Sequence, residues 1–125
     1  MVLKMGKIEK NQEREERIIM EAIVDAYGSE ERAAGWYYYL DDKMKFPFEA
    51  SCIKKIKSSP LNEGEKVTVL GMTDEDDLEG IYVNVQWKDR SFSVPLEQLH
   101  PLDVDEETVE AVEDWQYWVD RGYQF

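Results

Sequence analysis

The chain has one cysteine, Cys52, and one histidine, His100. An intramolecular disulfide is therefore excluded, and a reducing, cytoplasmic setting is expected. The pair cannot supply a four-ligand Cys/His zinc site. No apolar run approaches the ~18 residues of a membrane span. The first residues lack the apolar stretch of a secretory signal. Glycine patterns for phosphate binding are missing, as are G-x-S-x-G and H-E-x-x-H. Basic side chains are scarce: 15 Lys and Arg stand against 28 Asp and Glu, a net charge of −13. That balance opposes nucleic-acid binding and docking on anionic membranes.

Aromatic residues are plentiful, with 4 Trp, 7 Tyr and 4 Phe in 125 positions, so a folded core is expected rather than disorder. The length suits one domain, residues 1–125.

Ile18, Ile19, Ala22, Ile23, Ala26 and Tyr27 form one apolar stripe, predicting a helix over residues 8–27, with Glu13 and Arg17 as an i,i+4 pair. Gly28 reads as its stop and Ser29 as the N-cap of a second helix. That helix carries Ala33, Trp36, Tyr37 and Leu40 and must end before Pro47. Residues 50–56, 66–72, 81–87 and 91–94 are short Val, Ile and aromatic runs between turn signals. Val94-Pro95-Leu96-Glu97-Gln98-Leu99 reads as a strand entering a single 3₁₀ turn. Asp105 then caps a third helix, with Val109, Val112, Trp115, Trp118 and Val119 inward, ended by Gly122. The expected class is α+β: a small SH3-like antiparallel β-barrel (46–102), a helical N-terminal part (8–45) and an acidic C-terminal helix (103–125).

The acidity is concentrated. Residues 72–80 hold Asp74, Glu75, Asp76, Asp77 and Glu79 with no base, and residues 103–125 hold eight acids against Arg121. Twelve of the thirteen net negative charges fall in these two stretches. Calcium takes six to eight oxygen ligands, which an acidic loop between strands can supply in part. Asp103, Asp105 and Glu107 stand at the start of the third helix, where capping explains some of the charge. Glu110, Glu113 and Asp114 lie further along and read as a solvated face. Asp41 and Asp42 sit at the end of the second helix beside carbonyls that lack intrahelical partners, a seat for a hard cation. Local compensation by Lys43 and Lys45 is the competing explanation.

An EF-hand fails in both registers. Counting from Asp74, the fifth position is Leu78, the sixth Glu79 and the twelfth Val85. Counting from Asp103, the sixth is Thr108. Cys52 in an apolar strand reads as a small buried hydrophobe, and His100 as structural. Trp36-Tyr37-Tyr38-Tyr39 cannot all face inward, so part of that string is expected at the surface.

Gly35-Trp36-Tyr37-Tyr38-Tyr39-Leu40, Phe46-Pro47-Phe48, Ser59-Pro60-Leu61, Val69-Leu70-Gly71-Met72, Val94-Pro95-Leu96 and Asp114-Trp115-Gln116-Tyr117-Trp118 resemble the CcbP-type calcium-binding proteins. These are small acidic proteins of heterocyst-forming cyanobacteria, implicated in calcium signalling. The likeness runs from about Ala26 to Phe125. It implies Ca²⁺ as the ligand, bound without EF-hands. The acidic positions that match are Asp41 or Asp42, the loop of Asp74, Glu75, Asp76 and Asp77, and the stretch holding Asp103, Asp105 and Glu107.

The expected function is a non-enzymatic calcium buffer or sensor with a regulatory protein partner. The competing readings are an acidic interaction module that docks basic partners and a small enzyme working through carboxylates.

Overall fold

A computed structural model describes residues 11–24, 26, 28–57, 59–73 and 80–122. Asp74, Glu75, Asp76, Asp77 and Glu79 lie outside them, as do residues 8–10 and Tyr27 of the expected first helix.

Five strands form one antiparallel sheet: β1 (Phe48–Cys52), β2 (Lys66–Met72), β3 (Tyr82–Trp87), β4 (Arg90–Pro95) and β5 (Leu99–Leu102). Their order is β4-β3-β2-β1-β5. The chain meanders through β1 to β4, makes the expected 3₁₀ turn at Leu96–Gln98, and returns with β5 against β1. Among the described residues the sheet is not closed, so the expected SH3-like barrel is not confirmed. β4 and β5 remain its two edges. Both carry a proline, Pro95 and Pro101, which has no amide hydrogen to offer a further ladder, as suits an edge strand.

Strand alternation sets the core. Ala50, Cys52, Val67, Val69, Val83, Val85 and Val94 are buried, while Glu49, Lys66 and Gln86 face out. Cys52 pairs with Leu99, and the adjacent His100 is exposed on the opposite face, so no Cys–His dyad forms. Burial pushes the Cys52 thiol pKa up, away from thiolate character.

Two long helices cover the sheet: α2 (Ser29–Lys43) and α3 (Glu106–Asp120). Both match the periodicity, except that Gly28 occupies the N-cap of α2 rather than ending the helix before it. They join through aromatic contacts: Trp36 of α2 meets Trp115 at 5.0 Å and Trp118 at 5.7 Å between ring centroids.

The first helix differs most from expectation. It is α-helical only over α1 (Gln12–Arg17), then winds as a π-helical turn over Ile18–Ala22. The Ile23 amide donates to the Ile18 carbonyl at 3.0 Å, an i to i+5 bond. This winding aligns Ile18 with Ala22, both buried, and leaves Ile19 of the expected stripe exposed. The π-turn lies against α2 at Gly35, where a Cβ would collide with the Ala22 carbonyl oxygen. Glycine is required there by proximity rather than by dihedral angle.

The α1 helix itself buries no residue. What holds it is polar. Asp114, fully buried in α3, accepts from Arg14 Nη1 at 2.8 Å, Arg17 Nη2 at 2.7 Å, Arg17 Nε at 3.0 Å and the Tyr39 hydroxyl at 2.8 Å. Glu110 lies 3.5 Å from Arg17, and Glu113 lies 3.7 Å from Arg14. The Tyr117 hydroxyl donates to Glu15 at 2.6 Å and accepts the Asn11 amide at 2.8 Å. The mid-helix acids of α3 are therefore the seat of α1, correcting their reading as a solvated face. Arg17 engages Asp114 and Glu110, not the anticipated Glu13. Its pKa is raised, chiefly by the Asp114 hydrogen bond, and that of Tyr39 is raised by burial and by the Asp114 charge.

Removing one partner of a buried charge cluster costs about 3–5 kcal/mol. Arg14 and Arg17 keep some solvent contact, so Asp114→Ala is expected to cost about 3 kcal/mol in urea unfolding and to expose the α1 amides to hydrogen exchange. A loss below about 1 kcal/mol would contradict this anchoring.

Candidate functional site

Strand register gathers the acid-bearing connections at one end of the sheet. Phe48, where β1 begins, pairs with Val69 near the end of β2, and Glu49 pairs with Leu102 at the end of β5. Asp41 and Asp42 precede β1, while Asp103, Asp105 and Glu107 follow β5. The loop with Asp74, Glu75, Asp76 and Asp77 departs from the same end of β2. There the Thr73 amide donates to the Tyr82 carbonyl at 3.0 Å.

The C-terminus of α2 and the N-terminus of α3 are tied directly. The Thr108 hydroxyl lies 2.5 Å from Asp105 Oδ1 and 3.4 Å from the Lys43 carbonyl oxygen. It accepts the Lys45 amide at 3.2 Å. Asp105 occupies the expected N-cap position, yet its carboxylate bonds to the Thr108 hydroxyl and to Lys45 Nζ at 3.0 Å rather than to a backbone amide. Glu107 lies 3.6 Å from both Lys43 and Lys45, and Lys43 reaches Glu21 of the π-turn at 3.9 Å. The two lysines thus turn toward α3 and the π-turn rather than toward Asp41 and Asp42, which are exposed at the end of α2.

Beside this junction lies an open groove of about 400 Å³, lined by Lys45, Pro47, Phe48, Glu49, Leu102, Asp103, Val104 and Asp105. Asp103 adopts a left-handed backbone with φ 52°, a conformation that Asp tolerates better than most residues. Glu49, not singled out in the sequence, faces out of β1 and accepts the Thr68 hydroxyl at 2.8 Å. Strand alternation between Phe48 and Ala50 was the available signal. At the root of the acidic loop, Thr73 Oγ1, Asn84 Oδ1 and Ser93 Oγ lie within 3.2 Å of one another. Sequence reasoning missed these neutral oxygens, because their meeting depends on the β2–β3–β4 register.

The exposed donors at this end are carboxylate, hydroxyl and amide oxygens, a set that suits a hard divalent cation. Among the described residues, however, no three Asp, Glu, His or Cys side chains converge closely enough to hold one. A full coordination sphere would draw on carbonyl oxygens, water or the loop carboxylates outside the described residues. Among the described residues no helix is long and apolar enough to cross a membrane.

Comparison with known proteins agrees on the ligand class. A family profile for CcbP, described as calcium binding, matches residues 16–119. The crystal structure of Anabaena CcbP is 45% identical, superposes with a TM-score of 0.83, and matches over 94% of this chain and 98% of its own. A calcium-binding protein solved in its calcium-binding form is also 45% identical, with a TM-score of 0.82 and coverage of 93% and 96%. No match was found among curated proteins.

The pKa of Asp105 is lowered, first by the Thr108 hydroxyl and then by Lys45. A depressed carboxyl pKa adds stability that is present above the unfolded value of about 3.9 and lost as pH falls through the lower folded value. A carbon-detected NMR titration is expected to place the Asp105 midpoint below about 3.9. Thr108→Val should move it up more than Lys45→Met. A wild-type midpoint at or above the free value would refute the assigned contacts.

Proposed function

The chain belongs to the CcbP family of calcium-binding proteins, and from that premise we propose that it is a non-enzymatic calcium buffer or sensor built without EF-hands. Residues 1–125 act as one domain. The candidate ligands are Asp41 and Asp42, the loop of Asp74, Glu75, Asp76 and Asp77, and the stretch with Asp103, Asp105 and Glu107. What supports this reading is the strand register: β1 begins, and β2 and β5 end, at the same end of the sheet, and the three acidic segments adjoin those strand ends in the sequence. Exposed carboxylates favour moderate affinity, on the order of 10⁻⁶–10⁻⁴ M. Calcium would compete with Lys43 and Lys45 for Asp105 and Glu107, a competition that weakens binding and makes it dependent on salt. A cytoplasmic location, a regulatory protein partner, and no engagement of nucleic acid or anionic membrane complete the proposal. Net charge supports the last of these.

Calorimetric calcium titration separates localised sites from a diffuse ion atmosphere. Asp76→Asn with Asp77→Asn is expected to weaken at least one site by about tenfold, or 1.4 kcal/mol. Glu13→Gln with Glu16→Gln removes the same charge from α1 and should leave the isotherm unchanged. Equal effects from both pairs would contradict localised sites.

A further inference from the structure

Asp105 stands at the N-cap of α3, and its backbone carbonyl starts the helix by accepting the Val109 amide at 3.2 Å. An Asp in that position ordinarily turns its carboxylate onto the first free amides of the helix and so stabilises it. Here the side chain makes no capping bond. It turns instead to the hydroxyl of Thr108, a fully buried residue, and to Lys45 Nζ. A helix start that gives up its cap for a neighbouring hydroxyl needs another reason for the arrangement.

The two carboxylate oxygens are held differently. Oδ1 accepts the Thr108 hydroxyl at 2.5 Å, and Oδ2 accepts Lys45 Nζ at 3.0 Å. A hydroxyl has one hydrogen, and the Lys43 carbonyl at 3.4 Å is the more distant of its two acceptors, so the hydrogen goes to Oδ1. The Lys45 amide fixes Thr108 in turn by donating to its oxygen at 3.2 Å. Oδ1 is thus bound to a buried group. Oδ2 is bound only to an ammonium on a flexible stem, in a side chain that is 59% exposed. Lys45 and Asp105 both line the open groove that Glu49 and Asp103 share.

We infer that Thr108 is the positioning residue of the calcium site: it holds Asp105 Oδ1, so that Oδ2 is the oxygen offered to the ion in exchange for Lys45. The inference rests on the calcium reading of Asp105. A hydrogen-bond partner of a metal-binding carboxylate sets its orientation, and losing that partner weakens metal affinity by about tenfold or more. Thr108 carries no charge, so a diffuse ion atmosphere would not register its loss.

Calorimetric calcium titration of the full chain tests this. Asp105→Asn is expected to weaken one site. Thr108→Val, nearly isosteric but without the hydroxyl, should weaken the same site by about tenfold, and Thr108→Ser should bind like wild type. Thr108→Val added to Asp105→Asn should weaken binding no further than Asp105→Asn alone. That arm separates positioning from a merely structural clasp between α2 and α3, whose loss would add to that of the carboxylate. If Asp105→Asn leaves calcium affinity unchanged, the calcium reading of this segment fails and the inference with it. If Asp105→Asn weakens binding while Thr108→Val does not, or if the two effects add, the inference alone is overturned. A measurement on wild type needs no variant to fold. As calcium is added, the nitrogen NMR signal of Lys45 Nζ and the carbon signal of Asp105 Cγ should shift with one common midpoint. An Asp105 signal that moves while Lys45 stays put would overturn the exchange at Oδ2.

Discussion

The contact between the buried Asp114 carboxylate and the Arg14 and Arg17 guanidinium groups is the interaction on which the N-terminal third of the fold depends. The six residues of α1 bury nothing and are too few to be stable as an isolated helix. Their position comes from charge-assisted bonds of 2.7–3.0 Å to one carboxylate. From there the chain enters the π-turn, which sets Ala22 against Gly35 and buries Ile18. Tyr39 joins the same carboxylate from α2, so one side chain fixes α1, α2 and α3 relative to one another.

That contact also divides the acidity into two populations. Asp114, Glu110 and Glu113 face bases and serve structure. Asp105 and Glu107 face Lys43 and Lys45 at distances of 3.0–3.6 Å near the surface, where water and salt screen such pairs. Such pairs are weak enough for a divalent cation to displace. Asp41, Asp42 and Asp103 are exposed at the same end of the sheet.

Local signals in the sequence located most elements. β2 and the Leu96–Gln98 turn fall where alternation and the Val94-Pro95-Leu96 string put them, and α3 starts after Asp105. β1 ends sooner than the apolar run of residues 50–56 suggests, because that run also supplies the path away from the sheet. Less legible was everything set by distant partners. The i,i+4 spacing of Glu106, Glu110 and Asp114 looks repulsive within one helix, and only the docking of α1 reveals its compensation. The stripe from Ile18 to Tyr27 assumes α-helical winding, so the π-turn that exposes Ile19 was invisible to it. Of the site, the acidic positions were readable and their common end of the sheet was not, since it follows from the pairing of Phe48 with Val69 and of Glu49 with Leu102.

The central claim is that the outward acids bind calcium in the folded state rather than merely tolerating each other. A thermal melt in EDTA, in sodium chloride and in calcium at matched ionic strength tests it. Specific binding at a hundredfold excess over Kd stabilises by about 2.7 kcal/mol, which for this size raises Tm by several degrees. Screening by sodium relieves only repulsion and is expected to give a smaller rise. A calcium melt that coincides with the sodium melt would contradict the account.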